Sequence, residues 1–89
     1  MVETKITIIN KLGLHARAAA KFVSTTSAFS SKIEAEVDGK SVDGKSIMSM
    51  MMLAASKGTE MTIRCEGADE QKALNAIVAI INNRFDEGE

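Results

Sequence analysis

The chain has 89 residues, 45% of them hydrophobic and 26% charged, and a net charge of −1. That size supports one modest core in a single domain, residues 1–89. The charge balance excludes a basic footprint for nucleic acid, and three phenylalanines without tyrosine or tryptophan leave almost nothing for bases to stack on.

Met1-Val2-Glu3 runs straight into strand-like sequence, so no signal peptide is expected. Glu3 to Ile9 alternates, Ile6 and Ile8 on one side against Lys5 and Thr7, which predicts a strand. Asn10 to Leu14 is a polar, glycine-containing connection. From His15 to about Ser27 the period changes: Ala16, Ala19, Phe22, Val23 and Thr26 fall on one helical side, with Arg17, Ala20, Lys21, Ser24 and Ser27 on the other. Lys32 to Val37 alternates again. Asp38-Gly39 predicts a tight hairpin turn, and Lys40 to Val42 a short returning strand. Ser46 starts a short helix to about Leu53. The longest apolar run, Ile47 to Ala55, is broken by Ser49 and too short to span a membrane. Glu60 to Glu66 is the last strand and carries Cys65, a lone thiol expected to be structural and in keeping with a reducing cytoplasm. Asp69 is expected to cap a final helix with an apolar stripe of Ala73, Leu74, Ile77, Val78, Ile81 and Phe85. Arg64, Lys72 and the tail Asp86-Glu87-Gly88-Glu89 read as solvated charges, the tail frayed. The order β-α-β-β-α-β-α predicts an α+β fold: a four-stranded, mainly antiparallel sheet with three helices on one face. A ferredoxin-like βαββαβ sheet is the alternative that the pattern leaves open.

His15 is the only histidine. Its ring is a neutral nucleophile near neutral pH when nothing favours the cation. Here it lies where a helix begins, and helix starts favour anions and disfavour cations. Arg17 adds a charged fork suited to phosphate oxygens. The elements that keep the nucleophile neutral would also hold a phosphoryl group once attached. A surface or capping histidine is the plainer alternative. Ser46 is placed to cap the short helix through its hydroxyl. Met48, Met50, Met51 and Met52 cannot all face inward. Helical geometry sends Met50 and Leu53 to the core and leaves Ile47, Met48 and Met51 as an exposed patch suited to docking. A copper site is the other use of methionines, but no histidine or cysteine lies near them in sequence.

The segment Asn10-Lys11-Leu12-Gly13-Leu14-His15-Ala16-Arg17 resembles the active centre of the HPr family, the histidine phosphocarriers of the bacterial phosphotransferase system. Gly44-Lys45-Ser46-Ile47-Met48-Ser49-Met50-Met51-Met52-Leu53 resembles that family's regulatory serine and short helix. Length and element order fit over essentially the whole chain. The resemblance implies an open-faced β-sandwich. It implies that His15 accepts a phosphoryl group on Nδ1 from phospho-Enzyme I, steadied by Arg17, and passes it to an EIIA domain of a sugar permease or a related regulator. It further implies a carrier rather than an independent catalyst, working without metal or organic cofactor. Ser46 would be the target of an HPr kinase/phosphorylase. Ala20 and Ser24 would border the docking patch of Ile47, Met48 and Met51. Two positions depart from the family pattern. Ala18 stands where proline usually follows the arginine, predicting an intact but slightly looser helix entrance. Ser49 replaces the usual glycine.

The expectation is a cytoplasmic, monomeric phosphocarrier. The nitrogen-branch paralogue, a regulatory relay with the same chemistry, is the alternative within the family. Outside it stand a purely regulatory binding protein, which has no need of His15 and Arg17, and a small-ligand or metal-binding ferredoxin-like domain, for which a Cys-x-x-C pair or second histidine is missing.

Overall fold

A computed structural model describes residues 1–87. Its elements are β1 (Val2–Thr7), α1 (Ala16–Thr26), β2 (Lys32–Val37), β3 (Lys40–Asp43), α2 (Ile47–Met52), β4 (Glu60–Glu66) and α3 (Glu70–Asn82), followed by a turn at Arg84–Asp86. The strands form one sheet in the order β1-β4-β2-β3, and every pairing is antiparallel. The fold is therefore the expected α+β open sheet with three helices. The ferredoxin-like alternative is excluded, because β1 and β3, which that fold holds at the centre, are here the two edges.

Local chemistry accounts for most boundaries. Asp38 and Gly39 both have positive φ, 51° and 82°, the requirement of a type I′ turn, and they close the β2–β3 hairpin. Ser46 caps α2: its Oγ accepts from the Ser49 N–H at 3.2 Å. β1 is shorter than its alternation suggests. Beyond Thr7 the chain leaves β4, and Ile8 pairs with the loop instead, donating to Thr59 O and accepting from Gly58 N. On α1 the buried residues are Ala18, Ala19, Phe22 and Thr26. Ala16, expected on the inner side, is exposed, and Ala18 takes the inner place.

The core between sheet and helices holds Phe22, Ile33, Met50, Met61, Ile63, Cys65, Ile77 and Ile81, all essentially inaccessible. Burial pushes the Cys65 thiol up, with Glu70 and Asp69 adding to it, so the thiol is inert at neutral pH. The methionines divide as expected. Met50 is buried, and Ile47, Met48, Met51 and Met52 are exposed.

Three charged positions differ from what the sequence predicts. Arg64 donates to Glu36 Oε1 at 2.7 Å across the open sheet face and lies 3.7 Å from Glu3. Asp69 occupies the N-cap position of α3 but makes no side-chain cap bond. Its carboxylate accepts instead from Ser30 N, Ser31 N and Ser31 Oγ, clasping the α1–β2 loop to the start of α3. The Ser31 hydroxyl first, then the Ser30 amide, hold this carboxyl down to about 2. A depressed carboxylate stabilises the fold above its unfolded pKa and loses that contribution as pH falls through its folded value. Asp69→Asn is therefore expected to be less stable than the parent by a constant margin above about pH 5. The margin should shrink through about pH 4 and close near about pH 2 in denaturant titrations. A margin independent of pH would remove the clasp. The third position, in the tail, belongs to the site.

Candidate functional site

The connection between β1 and α1 is built by Asn10 and Gly13. Asn10 is fully buried. Its Nδ2 donates to Gly13 O at 2.7 Å, and its backbone O accepts from Gly13 N at 3.2 Å. Gly13 has φ +68°, and a Cβ there would lie 2.6 Å from Ala55 O and 2.8 Å from Ser56 Cα. The close approach lets Leu14 N donate to Ala55 O at 2.8 Å, tying this loop to the chain just after α2.

His15 is thereby set at the N-cap of α1 in an extended conformation. Its Nδ1 accepts from Arg17 N at 3.3 Å, and its backbone O accepts from Ala19 N at 2.8 Å. The ring caps the helix in the way a serine or aspartate oxygen does elsewhere, and it faces the positive end of the dipole. The side chain keeps 29% of its surface, enough for a partner to reach it. Around it lies a depression of about 750 Å³ lined by Lys11, Leu12, Ala16, Arg17, Lys21, Phe85, Asp86 and Glu87. Arg17 is where the sequence places it, exposed and beside His15. Lys11 and Lys21 add two cations that sequence reasoning did not assign.

The tail contributes what sequence reasoning missed. Glu87 is not a solvated charge: its carboxylate pairs with His15 Nε2 and accepts from Asn10 Nδ2 at 2.9 Å, and only 12% of its side chain is exposed. Burial raises the Glu87 carboxyl, but hydrogen bonds from Asn10 and His15 and the nearby charge of Arg17 outweigh it, leaving it below the ordinary carboxylate range. Asp86 pairs with Lys21 at 3.3 Å. Phe85 belongs to the core but not to α3, which ends at Asn82. Spacing from Ile77 through Ile81 to Phe85 mimics one more helical turn, so no local signal separates it. Gly88 and Glu89 lie outside the described residues.

Ser46, Ile47, Met48 and Met51 lie on or at the start of α2, and Ala20 and Ser24 are exposed on α1; the two helices pack against each other. Leu12, 67% exposed, adds an apolar group at the rim that sequence reasoning did not single out. Among the described residues no helix is long and apolar enough to cross a membrane.

Residues 2–83 match the family described as the PTS HPr component phosphorylation site. The chain is 58% identical over 90 residues to the phosphocarrier protein HPr of Pseudomonas aeruginosa, covering the whole of both. Among solved structures it superimposes on HPr-C-His of Thermoanaerobacter tengcongensis with a TM-score of 0.95 at 49% identity over 98% of each chain. It also matches a structure described as an HPr dimer from that organism, with a TM-score of 0.77 at 49% identity over 96% of this chain and 98% of that one.

Proposed function

The chain belongs to the HPr family of the phosphotransferase system, and from that premise we propose that it carries a phosphoryl group on His15 from phospho-Enzyme I to EIIA domains of sugar permeases. The observation that carries this reading is His15 itself: a part-exposed imidazole at a helix N-terminus, with Arg17 lining the same depression. A phosphoryl group on Nδ1 would exchange the ring's bond to the Arg17 amide for oxygens directed at the first N–H groups of α1. The positive helix end and the Arg17 guanidinium oppose its charge. No metal or organic cofactor enters the transfer.

The test is direct. With Enzyme I and phosphoenolpyruvate, the protein is expected to gain one acid-labile phosphoryl group by intact mass, and His15→Ala none. An unmodified parent protein, or a variant modified equally well, would overturn the assignment.

Docking through Ile47, Met48 and Met51, bordered by Ala20 and Ser24, is part of the same proposal. Exposed, flexible methionines suit a surface that meets several partners in turn. In the same assay Met48→Lys should slow transfer without moving the melting temperature, and an unchanged rate would remove the patch from the docking surface. Ser46 is proposed as the site of an HPr kinase/phosphorylase. Its part-exposed hydroxyl already faces an N–H of α2, so a phosphate there adds charge beside the docking helix without unfolding it. An acid-stable phosphoryl group, absent from Ser46→Ala, is the expected mark of such a kinase. The setting proposed is the cytoplasm, with the chain acting as a monomer in transient contacts; a stable dimer by sedimentation would replace that part of the reading.

A further inference from the structure

The contact between Glu87 and His15 joins residues far apart in sequence, and three independent features converge on it. The first is the hydrogen-bond pattern of the ring. His15 Nδ1 accepts from the Arg17 backbone N–H, so Nδ1 carries no proton. The neutral ring must then hold its proton on Nε2, the nitrogen that meets the Glu87 carboxylate. Both bonds demand the same tautomer.

The second feature is the hold on Glu87. Its Oε1 accepts from Asn10 Nδ2, while the same nitrogen donates to Gly13 O. Asn10 is fully buried, so one amide fixes both the loop that leads to His15 and the carboxylate that meets the ring.

The third is the path of the chain. Arg84, Phe85 and Asp86 all have left-handed φ, at 55°, 53° and 62°. Three successive non-glycine residues in this region are costly, and such conformations persist where the surroundings enforce them, often at functional positions. Here Phe85 is buried, Asp86 accepts from Asn83 and pairs with Lys21. The turn reverses the chain at the end of α3 and delivers Glu87 to the ring.

We propose that Glu87 is a positioning residue for phosphoryl transfer, holding the His15 ring in the tautomer whose Nδ1 lone pair is free to attack phosphorus. In the transfer that lone pair forms the N–P bond. The bond from phosphorus to the donor atom that carried it breaks, and its electron pair returns to the donor. No proton has to leave Nδ1, which carried none. The positive charge that develops on the His15 ring is met through Nε2–H by the Glu87 carboxylate, as carboxylates orient and support catalytic histidines elsewhere. Transfer onward reverses these steps, with the same proton kept on Nε2.

This rests on His15 being the phosphoryl acceptor. The experiment therefore combines two readouts on the parent, Glu87→Ala and Glu87→Gln. Ring-nitrogen NMR reports the tautomer without any phosphoryl donor. Rapid-quench phosphorylation by Enzyme I and phosphoenolpyruvate reports the rate, with His15→Ala as the acceptor control. The parent is expected to show the Nε2–H form. Glu87→Ala should raise the Nδ1–H form and slow phosphorylation by about tenfold. Glu87→Gln, which keeps an acceptor oxygen but no charge, should retain the tautomer and recover part of the rate. An unchanged tautomer in Glu87→Ala, or a shifted tautomer with a rate within about twofold of the parent, would overturn the assignment. Phosphorylation that survives in His15→Ala would overturn the acceptor reading and this one with it. The NMR result would still report whether the contact exists.

Discussion

Gly13→Ala is expected to cost about 2–4 kcal/mol of stability, a melting temperature lower by more than about 10 °C for a chain of this size. Two effects add. The left-handed φ of +68° penalises any side chain by about 1–2 kcal/mol. The new Cβ would also strike backbone, Ala55 O at 2.6 Å and Ser56 Cα at 2.8 Å, and backbone does not swing aside as a flexible side-chain tip does. Relief requires the loop from Asn10 to Leu14 to lift from the chain after α2, which breaks the Leu14–Ala55 bond and moves His15. Phosphoryl acceptance should fall with stability. Gly39→Ala is the control: its φ is also left-handed, +82°, but nothing lies within 4 Å of its Cβ position. It should cost only the conformational part, about 1 kcal/mol. Equal melting temperatures for the two variants would show that the close approach at Gly13 has no energetic weight.

Phe85→Ala should release the C-terminal turn. Burying a phenylalanine side chain is worth about 2–3 kcal/mol. The left-handed conformation of Arg84, Phe85 and Asp86 costs a comparable amount, about 1 kcal/mol or more for each residue. The exposed Lys21–Asp86 pair adds less than about 1 kcal/mol. Without the ring in the core, strain and anchoring no longer balance, and the turn relaxes to ordinary backbone. The net loss of stability should then fall below the about 3–5 kcal/mol usual for a buried phenylalanine, because relaxation of the turn offsets much of it. The sharper consequence is at the site. Glu87 leaves Asn10 and His15, and the ring nitrogens should shift as in Glu87→Ala although the substituted residue is not the one that touches them. A full loss of about 5 kcal/mol, the upper bound for phenylalanine in a core, with an unchanged His15 ring would mean that the turn holds without its anchor.

The elements were legible in the residues because each depends on short-range spacing. Lys32–Val37 and Glu60–Glu66 alternate with period two, and both strands fall where that alternation lies. Asp38-Gly39 carries its own turn geometry, and Ser46 its own cap. The split of the methionines followed from helical angles alone. His15, Arg17 and the two motifs around them carry the family resemblance in the sequence itself.

Other features were settled only when the chain closed on itself. Asp69 has the residue type and position of a cap, yet two serine amides and a hydroxyl from the α1–β2 loop compete for its carboxylate and win. Phe85 keeps the spacing of α3 but leaves the helix. The Glu87 contact spans 72 positions, and an acidic residue near a chain end carries no mark of a distant partner. Short-range order is written in neighbours three or four residues apart, where propensity and periodicity act. The sheet order and the meeting of Asn10, His15 and Glu87 depend on which apolar faces share one core. In this protein the amino-acid sequence by itself determined the elements, the hairpin and the placement of His15 and Arg17 at the start of the first helix. The tertiary structure decided what stands on the other side of that histidine's ring.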